Sequence, residues 1–468
     1  MSAEEAAALI QPDTVLGVSG FTLAGYPKKV PLALAKRALL GERLGLTVLS
    51  GASLGDEVDG ALARAGAVAR RYPYQSNADL RNAVNAGTVA YTDIHLSHMP
   101  LWVKSGVFGH IDCAIIEAAG IDVHGNIIPT LSVGCSDSLA QAADRVIVEI
   151  NTSVPLEIYG LHDVYTPKRA PNTQPIPLVK TPDRIGTPYI PCDSEKIAAV
   201  VYSDIPDTSS KFSPPDDTSR QIAVHLLPFL QREQKAGRLP EKMPPLQSGV
   251  GSIGNAILAA LGDSELRGLE FYSEVLQTNI LKLLDAGVVS CASGSSLSLS
   301  LADKERFFAN LSWYRDKIIL RPQEISNSPE LIRRLGVIST NTAIEVDLSG
   351  NVNSTHINGA RIMNGLGGSG DYTRNAQLSI FVTPSTAKNG AISCIVPYVS
   401  HVDHTEHDVD VIITEYGVAD LRCLTAYERA RKMIEIAAPQ FRDDLSQYMD
   451  MVKKTATAYH GIPMLQKG

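Results

Sequence analysis

The sequence predicts an α/β protein built from two tandem α/β domains with mostly parallel sheets. Short apolar segments such as residues 46–50 alternate with helical stretches, and this alternation is typical of βαβ units. Several of these segments end in a glycine turn, as at Gly20 and Gly51. The length of 468 residues corresponds to two or three domains, and a 44% share of hydrophobic residues can fill large cores.

The first half opens with a helix and continues as alternating strands and helices. Ser2 can cap the opening helix, because Glu4 and Glu5 then lie in its positively polarised first turn. A glycine-containing loop over residues 20–28 leads into a second helix over residues 30–40. The predicted strands are short apolar segments, and they cover residues 14–19, 46–50, 114–117, 146–149 and 197–202.

A proline-dense stretch between about residues 166 and 215 predicts an extended connection that closes the first domain. We therefore divide the chain into residues 1–218 and residues 219–468. The second part repeats the pattern of strand, glycine loop and helix, which indicates a structural duplication. Its predicted strands cover residues 271–273, 343–347, 378–382 and 409–413, and its predicted helices cover residues 221–234, 255–261, 280–284 and 426–437.

Charge and composition exclude several classes of protein. The formal net charge of −8 argues against a nucleic-acid partner, which needs a basic face. No apolar run approaches the ~18 residues of a membrane-spanning helix, so we expect no membrane association. The six cysteines are scattered and the N-terminus lacks the features of a targeting signal, so we predict a cytoplasmic protein with reduced thiols.

The glycine-rich segment 249–254 reads GVGSIG and precedes a helical stretch. It matches the GxGxxG pattern of dinucleotide-binding proteins, and Glu270 follows at a suitable distance. Pro244 and Pro245 stand just before it, and prolines are excluded from central strands, so we do not expect the required buried strand. A plain turn is one alternative. The other is a helix N-terminus whose backbone N–H groups bind an oxyanion or a phosphate.

Two glutamates follow buried strands in the second half. Glu274 and Glu415 each stand where a predicted strand ends, and open α/β sheets bind ligands at that edge. Paired carboxylates suit acid–base or nucleophilic chemistry, although an acid in the first turn of a helix is also common without function.

A run of glycines occupies residues 365–370 and would let a ligand approach the backbone; a surface loop is the alternative. Lys388 lies in a later turn, where a solvated lysine is the alternative to a functional one.

Three histidines, His401, His404 and His407, recur at three-residue spacing. Such a cluster can bind a metal ion, but the spacing matches neither a HExxH helix nor a paired-cysteine site. We therefore predict hydrogen-bonded loop histidines and no metal.

Taken in order, the motifs of this chain resemble the acetyl-CoA hydrolase/transferase family of class I CoA-transferases over nearly the whole length. The branch that it resembles contains succinyl-CoA:acetate and propionyl-CoA:succinate CoA-transferases. Ser252, Gly254 and Cys423 depart from the usual family pattern without removing a reacting group. The motifs are Ser19-Gly-Phe-Thr, Gly25-Tyr-Pro-Lys28, Gln247-Ser-Gly-Val-Gly251, Tyr272-Ser-Glu274-Val-Leu-Gln277, Leu320-Arg-Pro-Gln-Glu-Ile-Ser-Asn327, Glu345-Val-Asp347, Asn351-Val-Asn-Ser354, Gly367-Gly-Ser-Gly-Asp371, Ser400-His-Val-Asp-His404 and Thr414-Glu-Tyr-Gly-Val-Ala-Asp-Leu-Arg422.

The resemblance implies an active site between the two domains, with Glu274 as a nucleophile that carries CoA as a thioester. It implies oxyanion-binding N–H groups at Val250 and Gly368, and places Asn327 and Glu415 at the reacting centre. The positions implied to contact CoA are Gly249, Val250, Gly251, Ser252, Ile253, Ile344, Asn364, Gly368 and Lys388.

The implied activity is transfer of CoA between an acetyl-, propionyl- or succinyl-CoA and a carboxylic acid. Coenzyme A enters as a substrate, and no permanently bound cofactor is implied. The implied partners are acyl-CoA, short-chain carboxylic acids and a second copy of the chain in a homodimer. An acyl-CoA hydrolase at the same site and a non-catalytic acyl-CoA sensor stay as alternatives.

Overall fold

A computed structural model describes residues 1–171, 173–208 and 215–455. Residues 172 and 209–214 of the predicted connection, and residues 456–468 of the predicted second domain, lie outside the described part of the chain. No helix within the described ranges is both long enough and apolar enough to cross a membrane.

The first half forms a seven-stranded sheet, because its apolar segments are buried as parallel strands between helices. All neighbouring strands of this sheet are parallel. Its strands are β1 (Val15–Val18), β2 (Leu46–Ser50), β3 (Val68–Tyr72), β4 (Ala90–Tyr91), β5 (Cys113–Ala118), β8 (Arg145–Asn151) and β9 (Ile197–Ser203), while β6 (Gly120–Ile121) and β7 (Ile127–Ile128) form a separate hairpin. Its helices are α1 (Ala3–Ala8), α2 (Lys29–Leu39), α3 (Ala61–Arg64), α4 (Ala78–Asn85), α5 (His98–Ser105) and α6 (Ser136–Ala142), with a π-helical turn over Asp56–Gly60 and 3₁₀ turns over Leu156–Ile158 and Ser194–Lys196.

The second half forms an eight-stranded sheet in which only the last strand is antiparallel to its neighbour. The chain continues as α7 (Asp217–Lys235), β10 (Leu246–Ser248), α8 (Ser252–Gly262), β11 (Leu269–Tyr272), β12 (Val275–Gln277), α9 (Asn279–Asp285), β13 (Val289–Gly294), β14 (Ser296–Ser298), α10 (Leu301–Ala309), α11 (Leu311–Arg315), β15 (Ile318–Leu320), α12 (Gln323–Ser326), α13 (Pro329–Leu335), β16 (Ile338–Thr342), β17 (Glu345–Asp347), β18 (Val352–Asn353), β19 (His356–Ile357), β20 (Arg361–Ile362), α14 (Ser369–Asn375), β21 (Leu378–Val382), β22 (Thr386–Ala387), β23 (Ile392–Ser393), β24 (Ile395–Val396), β25 (Val411–Thr414), β26 (Gly417–Asp420), α15 (Ala426–Glu435) and α16 (Pro439–Thr455).

The two sheets have the same strand order. The first runs β4-β3-β2-β1-β5-β8-β9 and the second runs β15-β13-β11-β10-β16-β21-β25-β26. In each half the first strand therefore lies in the middle and is followed by a glycine-containing loop and a helix. This correspondence agrees with the predicted duplication. The proposed division between residues 218 and 219 falls inside the first turn of α7 and stays a prediction.

Three local predictions need correction. The predicted strand over residues 343–347 is only the short β17 of a small side sheet, and the strand beside β10 in the main sheet is β16. A buried central strand, Leu246–Ser248, does precede the glycine-rich segment. Pro245 directly precedes this strand and needs no N–H there, because it contributes only its carbonyl, which accepts a hydrogen bond from the Ile338 N–H. The alternative of an acid in the first turn of a helix does not apply to Glu274, because residues 275–277 form the strand β12, which pairs with β14 before helix α9 begins.

The halves share a core. A single cluster of buried apolar side chains joins residues of the first sheet, such as Ile116 and Val148, to residues of the second, such as Ile338 and Leu378. Backbone bridges join Ser132 to Ser296 across the same contact. Because apolar burial dominates folding energetics, this cluster holds the two sheets in one relative position.

Lys28, at the start of α2, is fully buried and contacts the carboxylates of Glu117 and Asp207. Burial alone would lower the pKa of Lys28, but the charges of Asp207 and Glu117 raise it above its usual value, so the ammonium stays ionised. Asp207 also accepts a hydrogen bond from the Gly25 N–H, and Lys304 of α10 donates to its backbone carbonyl. The network thus links the loop before α2, the connection between the halves and the second half.

We predict that Lys28→Met lowers the free energy of unfolding by about 3–5 kcal/mol, because it leaves two buried carboxylates without their cation. Chemical denaturation measures this loss. The matched control is Lys29→Met at the next residue, whose pair with Asp204 is exposed and contributes no more than about 1 kcal/mol. Equal losses for the two variants would contradict the assignment of a buried ion pair to Lys28.

Candidate active site

A cleft of about 650 Å³ opens where the carboxyl ends of the two parallel sheets face each other. This is the edge at which open α/β sheets bind ligands, and here both halves contribute to it. Its lining comes from residues 21–23, 52–53, 74, 76 and 96 of the first half, and from residues 216, 248–252, 255, 274–275, 277–278, 298, 341–342, 354 and 364–369 that follow the connection.

Glu274 lies in the wall of this cleft, two residues beyond the end of β11, and its side chain is half-buried. Its Oε2 accepts a hydrogen bond of 3.0 Å from Nδ2 of Asn327, which is itself fully buried at the end of α12. Oε1 has no hydrogen-bond partner among the described residues. The structure therefore brings the predicted Glu274 and Asn327 together and leaves one carboxylate oxygen available.

The surroundings of Glu274 favour its neutral form. Burial raises the pKa of Glu274 to about 7, and the charge of the nearby Asp371 adds to the rise. The Asn327 hydrogen bond opposes both, because it stabilises the ionised carboxylate. Both the ionised and the neutral form of Glu274 are therefore accessible near neutral pH, and shifted pKa values of this kind are common at functional sites.

Gly368 packs directly against this carboxylate. A Cβ atom at position 368 would lie 1.5 Å from Oε2 of Glu274, so only glycine leaves room for this carboxylate. The preceding Gly367 has φ +62°, a left-handed conformation that glycine adopts without strain. The sequence predicts that a ligand can approach the backbone of this glycine-rich loop. In the structure, the group that lies against the loop is the side chain of Glu274.

The first half holds the glycine-rich loop in place. Asp93 accepts a 2.7 Å hydrogen bond from the N–H of Leu366, and Tyr91 and Gln75 donate to the carbonyl oxygen of Asn364. Burial raises the pKa of Asp93 to about 7. Sequence reasoning missed these residues, because nothing in a local motif shows that residues 75–93 contact residues 364–366.

The segment after β10 forms a second wall of the cleft. Gly249, Val250, Gly251 and Ser252 line it, whereas Ile253 is buried and lies outside the lining. The backbone N–H groups of Val250 and Gly368 donate to no acceptor in the described parts of the chain. Since α8 begins at Ser252, the loop can offer N–H groups and a positively polarised helix end to an anion.

Three further predicted site residues lie outside the lining, in addition to Ile253 and the buried Asn327. Glu415 accepts hydrogen bonds from the N–H and hydroxyl of Ser385, the Ile344 N–H donates to the Asn353 carbonyl, and Lys388 is exposed in the turn between β22 and β23. The structure does not bring these three to Glu274, and their roles stay predictions. Asn364, by contrast, does line the cleft.

His401, His404 and His407 lie in different surroundings. His401 packs against the ring of His356, His404 is buried against Phe381, and His407 is exposed. Within the described ranges, no group of three or more His, Cys, Asp or Glu side chains is arranged to hold a metal ion.

We predict that the carboxyl group of Glu274 titrates near pH 7. Difference infrared spectroscopy of the native protein against Glu274→Gln isolates its carboxyl band and gives the midpoint. Asn327→Ala should move this midpoint to higher pH, because it removes a hydrogen bond to the ionised form. A midpoint close to the ordinary glutamate value of 4.5 would contradict a raised pKa for Glu274.

Sequence profiles of known families match both halves of the chain. The acetyl-CoA hydrolase/transferase N-terminal domain matches residues 1–202, and the C-terminal domain of the same family matches residues 304–449. Together they cover most of the chain.

Curated relatives are similar over nearly the whole length. A succinyl-CoA:acetate CoA-transferase of Clostridium kluyveri is 47% identical, covering 97% of this chain and 85% of the relative. A propanoyl-CoA:succinate CoA transferase of Escherichia coli is 43% identical, covering 96% and 93%. An acetyl-CoA hydrolase of Yarrowia lipolytica is 41% identical, covering 95% and 87%.

Solved structures agree on the architecture. The crystal structure of RipA from Yersinia pestis has a TM-score of 0.74 at 23% identity and covers 97% of each chain, which shows a shared fold. With both family domains matched and relatives above 40% identity, the chain belongs to the acetyl-CoA hydrolase/transferase family and is an enzyme of that family.

Proposed function

We propose that this protein is a CoA-transferase that moves CoA between a short-chain acyl-CoA and a carboxylic acid. The observation that carries the proposal is the half-buried carboxylate of Glu274 in the cleft wall, with Oε2 held by Asn327 and Oε1 available. A carboxylate nucleophile suits this reaction, because CoA transfer exchanges one carboxylate for another on a thioester.

In the first step, ionised Glu274 attacks the carbonyl carbon of the acyl-CoA thioester. A carbon–oxygen bond forms, the carbon–sulfur bond breaks, and an acyl-glutamyl anhydride and the CoA thiolate result. The thiolate then attacks the glutamyl carbonyl carbon and displaces the free carboxylate of the donor acid. The product is a glutamyl-CoA thioester on the enzyme, and an acceptor acid regenerates Glu274 by the reverse steps.

Each addition places negative charge on a former carbonyl oxygen. Val250 and Gly368 line the cleft, and their N–H groups have no acceptor among the described residues, so we assign these two N–H groups to the oxyanion. Loss of one such donor typically costs about 3 kcal/mol of transition-state stabilisation. The glycine at position 368 serves twice, because it offers its N–H and leaves room for the Glu274 carboxylate.

Hydrolysis at the same site is the second candidate, since some relatives carry the name acetyl-CoA hydrolase. In that reaction water takes the place of the acceptor acid. We favour transfer because the relative at 47% identity is named a CoA-transferase, whereas the relatives at 43% identity include one named a CoA transferase and one named an acetyl-CoA hydrolase.

We predict that the protein mixed with acetyl-CoA, without an acceptor acid, gains the mass of CoA less one water. The gain should map to the peptide that contains Glu274, because the thioester forms on that carboxyl group. Intact-protein and peptide mass spectrometry measure it. The matched control is Glu274→Gln, which keeps the shape of the side chain and cannot form the thioester.

Addition of succinate should discharge the adduct and form succinyl-CoA, and addition of acetate should discharge it and regenerate acetyl-CoA. If the adduct is lost to water at the same rate with and without the acid, the protein is a hydrolase. If native protein binds acyl-CoA with neither adduct nor turnover, it is a sensor.

We predict that Gly368→Ala slows adduct formation at least a hundredfold, because the new methyl group overlaps Oε2 of Glu274. Rapid-quench mass spectrometry measures the rate. Gly262→Ala in helix α8, where the added methyl lies 3.3 Å from a flexible Leu283 side chain, is the control and should keep the native rate. An unchanged rate for Gly368→Ala would refute the contact between Gly368 and the nucleophile.

A further inference from the structure

We propose that Asp371 is a positioning residue that orients the side-chain amide of Asn327 and, through it, the nucleophile Glu274. This inference rests on the proposed function of Glu274 and adds a second carboxylate to the working site. Asp371 does not line the cleft, so it acts through Asn327 and not on the substrate.

The amide of Asn327 lies between two carboxylates. Its Nδ2 donates 3.0 Å to Oε2 of Glu274 and 3.2 Å to Oδ2 of Asp371, so its two hydrogens have separate acceptors. Its Oδ1 accepts a 2.9 Å hydrogen bond from the hydroxyl of Ser326. Rotation of the amide by half a turn would place its oxygen against both carboxylates, so Asp371 and Glu274 together select one orientation.

Asp371 itself is anchored by the first half of the chain. Its side chain is 3% exposed; Oδ2 accepts a 3.0 Å hydrogen bond from the Ser97 N–H, and Oδ1 accepts a 2.6 Å hydrogen bond from the Ser97 hydroxyl. His95 Nδ1 lies 3.8 Å from Oδ1. A continuous chain of hydrogen bonds therefore runs from Ser97, through Asp371 and Asn327, to Glu274.

This chain gives the first half a direct part in placing the nucleophile. Asp371 is the third residue of α14, and Gly368, which directly precedes this helix, packs against Oε2 of Glu274. Without an acceptor at Asp371, one hydrogen of the Asn327 amide loses its partner. The amide can then rotate, and the hydrogen bond that holds Oε2 of Glu274 weakens.

Two substitutions separate positioning from charge. In Asp371→Asn the amide oxygen can occupy the Oδ2 site and accept from Asn327 and from the Ser97 N–H, while the amide nitrogen donates to the Ser97 hydroxyl. This variant removes the charge and keeps the acceptor. Asp371→Ala removes both.

The experiment measures the single-turnover rate of CoA-adduct formation from acetyl-CoA in the full-length protein. We expect Asp371→Ala and Asn327→Ala each to slow it about tenfold to a hundredfold, the effect of losing one hydrogen bond to a charged group. In the Asn327→Ala background, Asp371→Ala should cause no further loss, because its effect passes through Asn327. Asp371→Asn should stay within a few-fold of the native rate.

The proposal would be overturned if the rate losses of Asn327→Ala and Asp371→Ala multiply in the double variant. It would also be overturned if Asp371→Asn and Asp371→Ala, both folded, lose the same rate. If Asp371→Ala does not fold, Ser97→Ala takes its place in the same cycle, because it removes the 2.6 Å hydrogen bond to Oδ1.

If native protein forms no adduct, the proposed function fails and the infrared midpoint of Glu274 becomes the readout. Asp371→Asn and Asp371→Ala remove the same charge, so the loss of charge shifts the Glu274 midpoint equally in both. We expect a higher Glu274 midpoint in Asp371→Ala than in Asp371→Asn, because only Asp371→Ala weakens the hydrogen bond from Asn327 to ionised Glu274. Equal midpoints would then overturn the positioning role.

Discussion

The site depends on one physical constraint, which is that a single carboxylate must be shielded from water and still present an oxygen to the cleft. Glu274 meets it because Asn327 donates a hydrogen bond to Oε2 and Gly368 packs against the same oxygen. Burial raises its pKa to about 7, so the carboxylate is weakly solvated near neutral pH. A side chain at position 368, or full exposure of Glu274, would remove this balance.

The duplicated architecture explains where the site lies. Both sheets place their central strands in the same order, so their carboxyl ends can face each other across one cleft. The halves are not equivalent in chemistry, because β11 is followed by Glu274 whereas β2 is followed by Gly51 and Ala52. The second half thus carries Glu274, the nucleophile that we propose, and the first half supplies support through Asp93.

Most of the fold could be predicted because apolar runs bounded by glycine are a local property. The strand over residues 378–382 and the helix near residues 280–284 appear where the patterns place them. The central strand β16 was missed because its sequence, ISTNT, is polar and only burial within the sheet shows its place. The strand before the glycine-rich segment was missed because Pro244 and Pro245 directly precede it, and Pro245 joins the ladder through its carbonyl alone.

The amino-acid sequence by itself determined the type of chemistry: a glutamate after a buried strand, glycine-rich loops, and motifs whose order is typical of one family. Only the tertiary structure decided which groups meet. It placed Asn327 against Glu274, joined Ser97 to Asp371, and set Glu415 beside Ser385 outside the cleft lining. The physical reason is that these contacts join residues tens to hundreds of positions apart, and their geometry follows from the packing of two sheets, which no local pattern encodes.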